Sequence, residues 1–102
     1  KAIIGPCLKQ KNFEVSIDFK KKFLKKNINY KVFFKNNHKT KKILFDMKGL
    51  IKFQLIKNKI NHIENINLDT YSNTKLFYSH RRSKHFNELP TGRMINIIGF
   101  SK

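Results

Sequence analysis

The stretch Ile43-Leu44-Phe45-Asp46-Met47-Lys48-Gly49-Leu50-Ile51-Lys52-Phe53-Gln54-Leu55-Ile56 carries the densest apolar signal in the chain. Two β-rich runs flank a short polar break at Lys48-Gly49. A glycine at that break is free to take positive φ, so the segment reads as a tight β-hairpin. With a hairpin at its centre, the chain is expected to be all-β.

The flanking segments extend that pattern. In Phe13-Glu14-Val15-Ser16-Ile17-Asp18-Phe19 apolar and polar residues alternate, which places Phe13, Val15, Ile17 and Phe19 on one face of a strand. Ile28, Tyr30, Val32 and Phe34 repeat the alternation. From Ile60 to Leu68, Ile60, Ile63 and Ile66 stand three apart with Asn and His between them. Asn is a poor helix former, so this is read as a strand or an irregular segment. Thr74 to Tyr78 reads as a further short strand, entered through the turn-prone Tyr71-Ser72-Asn73. Beyond Pro90 and Gly92, Met94 to Phe100 reads as a closing apolar strand. The expected architecture is a small barrel or sandwich of about six or seven short antiparallel strands with basic loops. No repeat or linker divides the chain, so residues 1–102 are expected to form one β domain. Residues 1–11 would be an extended arm with a turn at Gly5-Pro6-Cys7.

Charge sets the function classes. Lys and Arg number 23 against 6 Asp and Glu, a formal net charge of +17 on 102 residues. Such a surface repels itself unless a polyanion supplies counter-charge, which points to nucleic acid. Drift of the coding sequence toward A and T would enrich Lys, Asn and Ile but leaves the scarcity of acidic residues unexplained. A 39% apolar share supports a modest core and excludes a disordered basic tail. One cysteine, Cys7, excludes a cystine-stapled secreted domain. Lys, Asn or a charge interrupts every apolar run well short of a membrane span, so no membrane partner is expected.

Lys20, Lys21, Lys22, Lys25, Lys26, Lys39, Lys41 and Lys42 would decorate loops at the rim of the barrel and meet phosphates as point charges. In His80-Arg81-Arg82-Ser83-Lys84-His85, the residues Arg81, Arg82 and Lys84 join that RNA-binding set, with guanidinium groups suited to fork onto phosphate or stack on bases. His38, His62, His80 and His85 have no zinc-type spacing, and the six acidic residues are scattered singly. No cofactor, no metal, no catalytic residue and no small-molecule substrate are expected, and the protein is read as a non-enzyme. Cys7 lies near Lys1 and Lys9 but is read as an inert thiol.

Residues 43–53, together with Glu88-Leu89-Pro90-Thr91-Gly92-Arg93 and the apolar run to Phe100, resemble bacterial-type large-subunit ribosomal protein number twenty-seven in its mitochondrial form. That family's Arg-Gly-Thr-Lys-Phe-His-Pro-Gly-like loop has no counterpart here, where Lys31 to Lys42 carries Asn, Lys and His38. The resemblance implies a β-barrel-type structural constituent of the large ribosomal subunit. Its partners would be rRNA and neighbouring ribosomal proteins, and its place the mitochondrial matrix, with plastid or cytoplasm as alternatives. Two other functions stay open on the residues. One is a free-standing single-strand-binding barrel in which Tyr30, Phe33 or Phe77 stacks on bases. The other is a small basic ribonuclease using His80 or His85 with a lysine.

Overall fold

The computed structural model describes residues 1–100. Its elements run β1 (Ala2–Ile4), β2 (Glu14–Val15), α1 (Ile17–Lys26), β3 (Phe34–Asn36), β4 (Ile43–Phe45), α2 (Met47–Lys57), β5 (Ile63–Asn65) and α3 (His80–His85). Short 3-10 segments occupy Gln10–Asn12 and Ile28–Phe33. This is a mixed α/β fold, and the all-β expectation is overturned.

The hairpin is where the difference originates. Ile43–Phe45 is a strand, but Asp46 then caps a helix, its side chain accepting from Gly49 N at 3.0 Å. A carboxylate at that position satisfies an orphan amide of the first turn and favours helix over hairpin. Gly49 has no positive φ. It is needed for closeness instead: a Cβ there would overlap the Asp46 carboxylate and sit 3.1 Å from the Phe33 ring. Apolar residues of α2 serve more than one neighbour. Leu50 is buried, Phe53 meets the rings of Tyr30 and Phe33 at 6.1 and 5.8 Å, and Met47 and Ile51 line a cavity with Ile3 and Ile4. A helix used on several sides loses the single apolar stripe by which helices are recognised.

Ser16 makes the same substitution at α1. Its hydroxyl accepts from Phe19 N at 3.1 Å, Asp18 lies in the first turn, and Lys25 and Lys26 lie in the last, each placed favourably on the helix dipole. The expected strand over Phe13–Phe19 is thus reduced to Glu14–Val15, and Lys20 to Lys26 stand on a helix rather than in loops. The second alternating run becomes the 3-10 segment Ile28–Phe33, opened by Asn27 Oδ1 accepting from Asn29 N at 3.0 Å, and strand only from Phe34. Thr74 to Leu76 is turn, and Met94–Phe100 forms no strand. Ile95, Ile97, Ile98 and Phe100 are almost wholly exposed.

Strands β2, β4 and β3 form an antiparallel sheet in that order, with Glu14 opposite Leu44 and Phe34 opposite Phe45. Central β4 carries the core. Phe45 is 2% exposed, and the rings of Phe13, Phe19, Phe23 and Phe34 surround it at centroid distances of 5.0 to 5.3 Å. A second sheet pairs β1 with β5 in parallel, Ala2 beside Ile63 and Ile4 beside Asn65, continued by a bridge from Cys7 to Asp69. The supposed leading arm is therefore tied down along its length.

Candidate functional site

Asp69 anchors the region that carries the polar clusters. It is buried, and its carboxylate accepts from Tyr71 N at 3.0 Å, Ser72 Oγ at 2.9 Å, Lys9 N at 3.4 Å and Asn12 Nδ2. Asn73 Nδ2 donates back to the Asp69 carbonyl at 2.7 Å, and Thr70 N donates to the Cys7 carbonyl at 3.2 Å. Residues 7–12 and 69–73 are thereby clamped together. Burial alone pushes the Asp69 carboxyl up, but the donors from Ser72, Tyr71, Asn12 and Lys9 outweigh it and hold the pKa below the ordinary aspartate value. A depressed folded pKa means stabilisation that is present above the unfolded value of about 3.9 and is lost as pH falls through the folded value. Asp69→Asn should therefore lower stability at pH 7 by about 1–3 kcal/mol and flatten the acid limb of a urea-midpoint-against-pH curve. An unchanged acid limb would mean that the carboxylate's charge does no stabilising.

Arg82 continues the clamp. Its guanidinium, buried at 9% exposure, donates to the carbonyls of Thr70 at 2.9 Å, Tyr71 at 3.1 Å and Phe77 at 2.9 Å. Arg81 donates to the Glu14 carbonyl at 2.5 Å and lies over the Phe13 ring at 5.4 Å. Both guanidinium groups of the pair are thus turned to the protein itself. Ser79 caps α3 by accepting from Arg82 N at 3.2 Å, and His85 Nδ1 meets Tyr71 Oη at 2.8 Å.

With α3 fixed in this way, a pocket of about 250 Å³ opens beside it, lined by His80, Ser83, Lys84, Glu88, Pro90, Thr91 and Arg93. Gly92 lies flat on the Tyr78 ring, where a Cβ would come within 2.8 Å of ring carbons. A side chain here would have to displace the Tyr78 ring, which lies against the backbone between Thr91 and Arg93. Ser83 Oγ donates to the His80 carbonyl at 2.8 Å, so it offers the pocket lone pairs. Three cationic or protonatable side chains face one carboxylate, Glu88, which leans toward Arg82 with Oε2 4.0 Å from Nε.

A larger cleft of about 510 Å³ lies between the segment after β1 and the start of α2. Lys9, Lys11, Lys48 and Lys52 line it, with Gln10, Asp46, Asn65 and Asn67. The lysines first expected at a barrel rim fall elsewhere and apart. Lys22, Lys25 and Lys26 flank Phe19 and Phe23 in a shallow groove, with Lys20 and Lys21 on the same helix. Lys39 and Lys41 lie in the turn between β3 and β4, Lys41 at φ 57, and Lys42 pairs with Glu14 at 2.9 Å. Lys84 alone of the expected set lines the pocket beside α3. Sequence reasoning passed over Thr91 and Arg93, although Pro90-Thr91-Gly92-Arg93 following a basic cluster is a usable signal. It also passed over Lys48 and Lys52, which share a helix face that the hairpin reading concealed. Burial raises the Cys7 thiol pKa, against the field of Lys48 and with that of Asp69 and Asp46, so the thiol stays protonated.

Residues 1–101 match a protein family described as multi-copper polyphenol oxidoreductase laccase. The chain belongs to the multi-copper polyphenol oxidoreductase laccase family. A purine nucleoside phosphorylase of Rickettsia prowazekii is 39% identical to this laccase-family chain over 84 residues, 82% of this chain and 35% of that protein. One from Rickettsia conorii is 38% identical over 97 residues, covering 95% and 40% respectively. The laccase-family chain thus spans about two fifths of the length of these curated relatives.

This membership overturns the ribosomal reading. The resemblance to ribosomal protein number twenty-seven rested on a hairpin at 43–53 that is a strand followed by a capped helix. With it fall the role as a ribosomal constituent, the rRNA and ribosomal-protein partners, and the description as a non-enzyme without a small-molecule substrate. The single-strand-binding barrel and the ribonuclease fall as well, neither being what the family match or the relatives support. The family's description implies copper. Among the described residues of the laccase-family chain, no three His, Cys, Asp or Glu side chains come together. These residues do not make a copper centre, and no chemistry is routed through one.

Proposed function

We propose that the protein catalyses phosphorolysis of purine nucleosides and that the pocket beside α3 receives the phosphate. The observation that carries this reading is the convergence of Arg93, Lys84, His80 and the Thr91 hydroxyl on one small concavity, in a chain whose relatives are named purine nucleoside phosphorylases. An arginine fork matches two phosphate oxygens, and an ammonium beside it neutralises the remaining charge. Neutralisation at this point positions the anion for attack. One phosphate oxygen bonds to C1′ of the ribose as the C1′–N9 bond breaks. The purine leaves with the bonding electrons and takes up a proton, giving free base and ribose 1-phosphate.

The test is chromatographic release of hypoxanthine from inosine, or adenine from adenosine, with and without phosphate. Arg93→Met should raise KM for phosphate about 10- to 100-fold, the equivalent of one charge-assisted contact, and leave KM for the nucleoside within about threefold. Arg93→Lys should recover part of the loss. Base release that ignores phosphate, or a phosphate KM indifferent to Arg93→Met, would sink the reading.

A further inference from the structure

The lysine-walled cleft between the segment after β1 and α2 is separate from the pocket beside α3, and its charge count identifies a different ligand. Four ammonium groups, Lys9, Lys11, Lys48 and Lys52, share its wall with one carboxylate, Asp46. That carboxylate is committed to capping α2 through Gly49 N. The cleft is thus left with a net charge of three. One of its cations is placed before any ligand arrives. Lys48 Nζ donates to Asn65 Oδ1 at 2.9 Å and to the Ile66 carbonyl, which leaves its third proton for the cleft. The backbone of Lys9 is fixed by its bond to Asp69. Lys48 and Lys52, one turn apart on α2, present their charges along one side.

A single phosphate carries about two negative charges and would leave such a wall under-neutralised, whereas a diphosphate carries roughly three or more and spans several ammonium groups. We propose that this cleft binds a diphosphate group, borne by a nucleoside diphosphate or free as pyrophosphate. The volume, about 510 Å³, accommodates either. This assignment stands independently of phosphorolysis, since it uses none of the residues of the pocket beside α3.

Isothermal titration of the purified protein at physiological salt with pyrophosphate, ADP, AMP and orthophosphate tests it. Pyrophosphate and ADP are expected to bind one site about tenfold or more tighter than AMP or orthophosphate. The double variant Lys11→Gln/Lys52→Gln should lose about tenfold in affinity, and Lys22→Gln/Lys25→Gln on α1, which removes the same charge elsewhere, should lose less than about threefold. All four side chains belong to exposed residues, and matched thermal melts check that both variants are folded. Tighter binding of ADP than of pyrophosphate assigns the ligand to nucleotides, and equal binding assigns it to the free diphosphate. Absence of diphosphate binding, no preference over AMP, or equal losses in both double variants would overturn the assignment, the last by reducing it to general attraction.

Discussion

Phe45→Ala should cost about 3–5 kcal/mol, the range for deleting a buried aromatic ring whose neighbours cannot collapse into the space. Those neighbours are themselves rings. Phe13 and Phe19 meet Phe45 edge-on at 5.3 and 5.2 Å, and Phe23 and Phe34 lie tilted against it. Phe19 and Phe23 come from α1, Phe34 from β3 and Phe13 from the chain before β2, so the deletion loosens the packing of all three against the central strand. Small domains hold only about 5–15 kcal/mol in all, and the variant should melt at or near room temperature or fail to fold. Phe45→Leu keeps most of the volume and should cost markedly less, about 1–2 kcal/mol. Urea midpoints followed by circular dichroism give both numbers. An alanine variant within about 1 kcal/mol of the parent would mean that the ring cluster is not the core.

Arg82→Met should cost nearly as much, about 3–4 kcal/mol, for a different physical reason. Methionine replaces the volume but leaves the carbonyls of Thr70, Tyr71 and Phe77 without the donors they now have. Arg82→Lys supplies one charged donor group that cannot reach all three and should recover only part. Arg81→Met, at a half-buried position with a single carbonyl contact, should cost about 1 kcal/mol. Thermal melts would rank the three. Because α3 carries His80 and Lys84 to the pocket proposed for phosphate, Arg82→Met should on that proposal also raise KM for phosphate, while Arg81→Met should leave it nearly unchanged. Equal melting temperatures for Arg82→Met and Arg81→Met would show that the buried guanidinium is not the tie described.

The comparison of sequence with structure turns on two residues. Ser16 and Asp46 each interrupt an apolar run with a side chain that accepts a hydrogen bond from an amide three residues on. Read by alternation alone, Phe13–Phe19 and Ile43–Ile56 are strands. Read for caps, both contain the start of a helix. The tools for the second reading were present, since Lys is a strong helix former and Phe19 and Phe23 stand four apart with rings 4.9 Å from each other. What apolar spacing does not disclose is the course of α2 beyond its Asp46 cap, because its apolar residues face several neighbours at once. The turn at Tyr71-Ser72-Asn73 was legible because its side-chain chemistry acts locally, and the reading of Ile60–Leu68 as a strand or an irregular segment met both outcomes, strand at Ile63–Asn65 and irregular chain around it, because Asn disfavours helix there. Of the site, the sequence singles out the segment that bears His80, Ser83 and Lys84, but the opposite wall with Thr91 and Arg93 is brought there by the path of the chain after α3. The lysine-lined cleft joins residues 9–11 to residues 48–52 through tertiary structure alone.

The parallel pairing of β1 with β5 has a consequence for the time course of folding. Ala2 finds its partner in Ile63 and Cys7 in Asp69, so this sheet closes only by bringing together segments separated by most of the chain. Closing a loop of that size spends entropy before any contact returns it, and pairings of this kind form late and set slow folding rates. The antiparallel sheet around Phe45 joins nearer segments and can assemble ahead of it. On a ribosome the disparity becomes an interval. Ala2–Ile4, with Ile3 more than half exposed even when paired, leaves the tunnel as an unsatisfied edge and waits for Ile63–Asn65 to be synthesised. Among these elements, the first strand made is the last to be placed.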